Sequence, residues 1–283
     1  MKNISVLLFL LITLALNAQN NKTSGLNARQ FHKYWKVESE SPDYKVTFLG
    51  DTVEILSPKG LTIWRKEKMS GKVTIEYDAC VVVEVEGDRL SDLNCFWMAS
   101  DPQYPDNIWK REKWRSGIFL NCYSLQLYYM GYGGNHNSTT RFRRYDGNEA
   151  AITNAKARPA ILKEYTDADH LLEANKWYHI KITNENNRVS YYINGVRLVD
   201  FRDADPLTEG WFGFRTTLSR TRIANFHYEC SPQEISEIPL HWIGDTPQQD
   251  RTVSLGVPFS EGELYPENTL QLITDRGETL PID

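Results

Sequence analysis

The stretch from Leu125 to Tyr145, LQLYYMGYGGNHNSTTRFRRY, concentrates aromatic, amide and guanidinium groups as no other part of the chain does. Leu125 to Met130 alternates as a strand does, with Leu125, Leu127 and Tyr129 on one side and Gln126, Tyr128 and Met130 on the other. Tyr128 and Tyr129 therefore point to opposite faces. Thr139 to Arg144 reads as a second strand, on which Arg141 and Arg143 share a face about 6.6 Å apart, twice the strand rise. Guanidiniums so spaced fork onto carboxylates. Between the strands, Gly131-Tyr132-Gly133-Gly134-Asn135-His136-Asn137 reads as a glycine-rich turn that brings backbone amides, two Asn amides and an imidazole together.

The same short-strand grammar extends in both directions. From Phe31 onward, strand-like runs recur between turn signals at Gly50-Asp51, Pro58-Lys59-Gly60, Asn184 to Asn187 and Asn194-Gly195. The expected strands are Tyr44 to Phe48, Thr52 to Leu56, Thr62 to Arg65, Lys72 to Val83, Cys95 to Ala99 and Gly117 to Cys122. After the central pair come Trp177 to Thr183, Val189 to Ile193, Arg197 to Phe201, Trp211 to Arg215 and Arg222 to Tyr228. This pattern predicts an all-β fold, a two-sheet jelly-roll sandwich over residues 31–231. The one helix expected is Asp167 to Ala174, with Asp167 as N-cap. Asp101 to Trp114 (DPQYPDNIWKREKW) is a long charged loop, a kind that is more often functional than idle.

Composition narrows the class. Met-Lys-Asn followed by the apolar run Ile4 to Leu16 and a small residue at Ala18 reads as a secretory signal peptide over 1–18, with 19–30 as a disordered linker. This implies a secreted or periplasmic protein with no membrane span. Loss of Lys2 takes the formal charge from −5 to −6, and no basic tract remains, which argues against nucleic acid as a partner. Cys80, Cys95, Cys122 and Cys230 have no zinc-site spacing, and their three pairings, like buried free thiols, stay open. Eight tryptophans and fifteen tyrosines suit sugar rings and cores alike. Trp97, Trp109 and Trp114 are the stacking candidates. No cofactor is expected, although a structural calcium ion is open on general grounds, without a ligand spacing that identifies one.

Two further patterns carry a family resemblance. Asn175-Lys176-Trp177-Tyr178-His179-Ile180-Lys181-Ile182, Val189 to Val196 (VSYYINGV) and Gly210-Trp211-Phe212-Gly213-Phe214-Arg215 resemble the series of concanavalin-like jelly rolls. Asn94 to Ala99 (NCFWMA) together with Gly131 to Tyr145 is similar to the YesU-like proteins of rhamnogalacturonan degradation systems. The resemblance implies an acidic polysaccharide or oligosaccharide as ligand. Ile238-Pro239-Leu240-His241-Trp242, Val253 to Phe259 and Leu270 to Leu280 resemble the opening of YetA-like exo-rhamnogalacturonan lyases. That family begins with a small barrel, so residues 232–283 are expected to be a partial barrel-like extension, with a lyase domain missing downstream.

If the domain acts on uronates, β-elimination needs a neutraliser for the carboxylate and a base for the C5 proton. His136, Tyr129 and Arg141 are the catalytic candidates, and Tyr128 could serve as base in place of Tyr129. Trp97, Trp109, Trp114, Tyr128, Asn135, Asn137, Arg143, Tyr145 and Arg215 are the binding candidates. A non-catalytic binding module is the alternative, and a glycoside hydrolase of the concanavalin-like fold is the second. A glycosidase would need paired carboxylates, and Glu76-Tyr77-Asp78 lacks the third acid of the E-x-D-x-x-E pattern. A forty-odd-residue piece of barrel leaves strand edges unpaired. Mild proteolysis is therefore expected to remove the tail and leave a resistant body ending near Cys230, whereas uniform resistance through Asp283 would overturn the division at residue 231.

Overall fold

The computed structural model describes residues 24–231 and two short strands, Leu272–Ile273 and Thr279–Leu280, which pair antiparallel. The signal-peptide reading, the first part of the linker and nearly all of the C-terminal barrel lie outside the described residues. The strands are β1 (Trp35–Ser39), β2 (Lys45–Leu49), β3 (Thr52–Arg65), β4 (Met69–Ser70), β5 (Lys72–Val82) and β6 (Leu93–Ser100). Then come β7 (Gln126–Gly133), β8 (Thr139–Asp146), β9 (Lys163–Tyr165), β10 (Tyr178–Glu185), β11 (Arg188–Ile193), β12 (Val196–Arg202) and β13 (Glu209–Ser231).

Two long strands make the sandwich. β3 and β13 pair along Val53–Trp64 and Gly213–Ile223, with a register shift between Thr217 and Ser219. At that shift Leu218 takes φ +51° and stands exposed. Both strands turn there from one layer into the other, in keeping with the sharper bend that a bulge gives a strand. The first layer is β12-β11-β10-β5, then the far half of β13 and the near half of β3, with β2 at its edge. The second is β1, the other halves of β3 and β13, then β6-β7-β8-β9. The Pro58-Lys59-Gly60 signal is therefore no turn; it marks the bend inside a continuous strand. For the same reason Trp211–Arg215 and Arg222–Tyr228 are parts of one strand.

The main core fills the space between layers. Trp97 and Met130 from the second layer meet Tyr77, Ile180 and Tyr191 from the first, and the Trp97 and Tyr191 rings lie 6.3 Å apart. Burial pushes the Cys95 thiol there up to about 12, while Cys122, in the second cluster, is pushed up to about 11, both left as free thiols. The segment expected as linker is packed from residue 24 onward. Leu26 is buried, and the Ser24 carbonyl accepts from Trp35 Nε1 at 2.8 Å and Arg65 Nη1 at 3.0 Å. The Arg65 guanidinium is caged by the rings of Tyr34, Trp35 and Tyr228.

A second cluster lies on the outward face of the second layer, where Trp64, Phe96, Leu127, Tyr145 and Trp211 would meet water. Residues 101–125 and 148–157 roof it, contributing Ile108, Cys122, Tyr123, Leu125 and Ala151. Gly117–Cys122 is thus not a strand. Ser116 (φ +47°) and Gly117 (φ +68°) break the extended chain, and Leu120–Ser124 coils as a 3-10 helix. The helical period brings Phe119, Cys122 and Tyr123 down on the sheet together. The expected Asp167–Ala174 helix shrinks to one 3-10 turn, Ala168–His170, because Asp167 bonds the His170 ring at 2.6 Å and caps no backbone.

Ion pairs pin the roof down. Arg115, with no exposed surface, donates to Glu38 on β1 at 3.0 Å and to the Ile108 carbonyl at 2.8 Å. Burial raises the Glu38 carboxyl above its ordinary range, against the opposing pull of Arg115. Arg111 forks onto the fully buried Asp101 at 2.7 and 3.1 Å and also reaches Glu149, joining the two roofing segments. Breaking a buried pair on one side leaves an uncompensated charge. Arg115→Met alone is expected to cost about 3–5 kcal/mol, read from the denaturant midpoint at unchanged slope, and the double change with Glu38→Leu much less. A single-variant loss below about 1 kcal/mol would show that the roof is anchored elsewhere.

Candidate functional site

Strand alternation sorts the candidate residues between the two faces of the second layer. On β7 the even positions, Tyr128, Met130 and Tyr132, point into the main core, while Leu127, Tyr129 and Gly131 point outward. On β8, Phe142 points inward and Arg141, Arg143 and Tyr145 outward. Cross-strand pairing then lays down two rows on the outward face. One runs Glu38, Thr62, Arg215, Asn94, Gly131, Arg141, Glu164 across β1, β3, β13, β6, β7, β8 and β9. Beside it runs Lys36, Trp64, Gly213, Phe96, Tyr129, Arg143.

The rows meet at Tyr129. Its ring packs among Phe96, Phe119 and Tyr145 at centroid distances of 5.5, 5.6 and 5.7 Å. Its hydroxyl swings over Gly131, where a Cβ would stand 2.4 Å from the oxygen, so glycine is what admits it. Burial raises the Tyr129 hydroxyl well above its ordinary range; Asp92 raises it further, and Arg215 and Arg143 oppose. A group so shifted holds its proton at neutral pH and makes a poor base.

Three arginines surround this tyrosine. Arg215 lies under the edge of the roof, bonded to the Gly117 carbonyl, with its guanidinium 5.5 Å from the Phe119 ring. Arg143 donates to the Pro159 carbonyl at 2.8 Å. Arg158, beside that proline, sits 5.8 Å over Tyr123, whose ring is 5.0 Å from Tyr145. Among the described residues none of the three has a carboxylate partner within 4.0 Å. The contrast with their neighbours is sharp: Arg141 pairs with Glu164 at 2.5 Å, and Arg144 with Asp203 at 2.6 Å and Asp205 at 3.2 Å.

The structure thus brings Tyr129, Arg143 and Arg215 together, with Arg141 on the same face but already paired. The other candidates go elsewhere. Trp97 and Tyr128 are core residues of the opposite face, and the Tyr128 hydroxyl donates to Asp203 at 2.6 Å. Tyr145 is fully buried beneath the roof. Trp109 is half-buried against Trp211 and Trp114 is exposed under the Arg111 guanidinium, both on the roof. Asn135, His136 and Asn137 form a left-handed turn at the far end of the hairpin, with φ of 52°, 58° and 57°. Four positions of strand rise, about 13 Å, separate Tyr129 from Gly133, where the turn that carries His136 begins. Asn135 bonds Ser138, and Asn137 brackets Leu172 through its N–H and carbonyl, so this turn is a latch for the 170–172 segment. The base, imidazole and guanidinium expected for β-elimination are therefore not assembled at one point.

Sequence reasoning missed Arg158 and Tyr123, which lie outside the expected strands, and Phe119, which sits in the segment expected as the strand Gly117–Cys122. Glu76 and Asp78 project from β5 on the other layer's outer face, bonded to Lys181 at 2.9 Å and His179 at 2.8 Å. Among the described residues no group of three or more His, Cys, Asp or Glu side chains is placed to hold a metal ion, and no helix is long and apolar enough to cross a membrane. Gly131→Ala forces the Tyr129 ring out of its cluster. We expect a loss of about 1–3 kcal/mol together with a changed near-ultraviolet circular dichroism spectrum; an unchanged spectrum would show that the hydroxyl is not held there.

No curated protein matches the chain at a significant level. Among solved structures, a protein of unknown function with a galectin-like fold from Bacillus subtilis is 15% identical, with a TM-score of 0.58, covering 74% of this chain and 95% of that one. The exoplasmic/lumenal domain of VIP36, in a Ca2+/Man-bound form, is 9% identical, with a TM-score of 0.51, covering 80% and 94%. Both show the shared sandwich fold. The tail, residues 236–283, matches the PcRGLX-like N-terminal RIFT barrel domain, in line with the barrel expected there. Residues 55–226, which hold Tyr129, the three arginines around it and the roof, match the domain of unknown function DUF6250, and the chain belongs to that family.

Proposed function

We propose that this domain is a secreted, non-catalytic carbohydrate-binding module that holds an acidic plant glycan of the rhamnogalacturonan kind for a lyase acting beside it. The observation that carries the reading is the gathering of Arg143, Arg158 and Arg215, none with a carboxylate partner, around the aromatic floor of Phe119, Tyr123 and Tyr129. The half-buried Arg143 and the exposed Arg158 are the cations that an anionic group from solution reaches, while the buried Arg215, Tyr123 and Tyr129 support them from beneath and the half-buried Phe119 leaves part of a ring for the apolar face of a sugar. Every other arginine cluster of the layer is internally balanced, as at Arg111, Arg115 and Arg144.

Several observations support the rest. The VIP36 domain of similar fold was solved with Ca2+ and mannose, and the tail's match is to the first domain of a PcRGLX-like protein. The raised Tyr129 hydroxyl and the remote His136 favour binding over elimination.

Titration calorimetry with rhamnogalacturonan oligosaccharides tests the reading. The wild-type domain is expected to bind without forming unsaturated product, and Arg143→Ala to weaken binding about tenfold or more, the worth of a charge-assisted hydrogen bond. Raising the salt should weaken wild-type binding more than that of the variant. Product formed at a rate that Arg143→Ala leaves intact would overturn both the site and the binding-only reading.

A further inference from the structure

Arg141 and Arg143 share a face of β8, two residues and about 6.6 Å apart, yet their charges are in different states. Arg143 has only a neutral carbonyl partner, whereas Arg141 is neutralised by Glu164, its direct cross-strand neighbour on β9. Glu164 engages Arg141 through Nε alone, and both side chains are about one-third exposed, at 33% and 37%. On its other side Arg141 faces Gly131, which has no side chain and whose space the Tyr129 hydroxyl occupies.

We infer that Glu164 is the specificity-determining residue of the site, selecting a glycan whose acidic sugars alternate with neutral ones over one that is acidic at every sugar. The inference rests on the reading of the site given above. A ligand carboxylate seated at Arg143 is welcome. A second one arriving at Arg141 meets a cation already satisfied and the negative charge of Glu164 beside it. Like charges brought together at a binding face discriminate against the wrong partner more than they strengthen the right one. A neutral sugar in that place meets no such penalty, and it finds the Tyr129 hydroxyl and the spare Arg141 nitrogens as hydrogen-bonding groups. Because an exposed ion pair of this kind is weak, Glu164 can be removed without disturbing the strand.

The experiment compares wild type and Glu164→Gln, with a matched melting temperature as the check on folding, against three oligosaccharides at fixed low salt. One alternates galacturonate with a neutral sugar, one is oligogalacturonate, and one is neutral. Wild type is expected to prefer the alternating ligand. Glu164→Gln should bind oligogalacturonate about two- to fivefold more tightly, on the scale of one exposed ion pair, with the alternating ligand changed less than twofold. If wild type binds acidic ligands but the ratio between the two is the same in Glu164→Gln, the inference fails and the binding reading stands. If neither protein binds either acidic ligand, the binding reading fails and takes the inference with it.

Discussion

The structure turns on a sheet face that water cannot be left to cover. Trp64, Phe96, Leu127, Tyr145 and Trp211 all project from the outward side of the second layer, and exposing them would forfeit roughly 1.5–3 kcal/mol for each large side chain. The roof built from residues 101–125 and 148–157 removes most of that surface from water. Its weight rests on charges taken out of water with it, Arg115 on Glu38 and Arg111 on Asp101. Where the roof ends, the sheet changes from aromatic to polar in a single strand spacing, and the arginines around Tyr129 stand at that border.

This boundary explains why the site is small and electrostatic. A jelly roll with an uncovered face offers a broad platform, whereas here the aromatic part has been spent on stability. Phe119 and Tyr123 serve both purposes: from the roof side Phe119 packs against Tyr129 and Tyr123 against Tyr145, and they lie beneath the guanidiniums of Arg215 and Arg158. What is left at the rim is charge and hydroxyl groups, the groups on which the proposed binding of an anionic ligand rests.

The alternation of LQLYYMG and TTRFRRY made the strands, their pairing and the common face of Arg141 and Arg143 legible from the chain alone. It could not say which face was roofed. That depended on Ser116 and Gly117 taking left-handed dihedrals and on Phe119, Cys122 and Tyr123 sharing a helical side, signals too short to separate from a strand. The glycine-rich run misled in another way. Gly131 looks like part of a ligand loop, yet its role is to leave room for a tyrosine hydroxyl two residues back on the same strand, and the true turn begins only at Gly133. Nor could spacing reveal that Glu164, on a three-residue strand, would find Arg141. Ion pairing across an irregular connection is a property of the folded surface.

The passage of β13 through both layers has a mechanical meaning. Arg215, under the edge of the roof, and Ser231, where the described body ends, belong to one uninterrupted strand that is flanked by hydrogen-bonded neighbours for most of its length. A load applied to the sheet at that arginine would be carried in shear along the ladders on both sides of β13. Strands loaded in that direction share tension among many bonds at once.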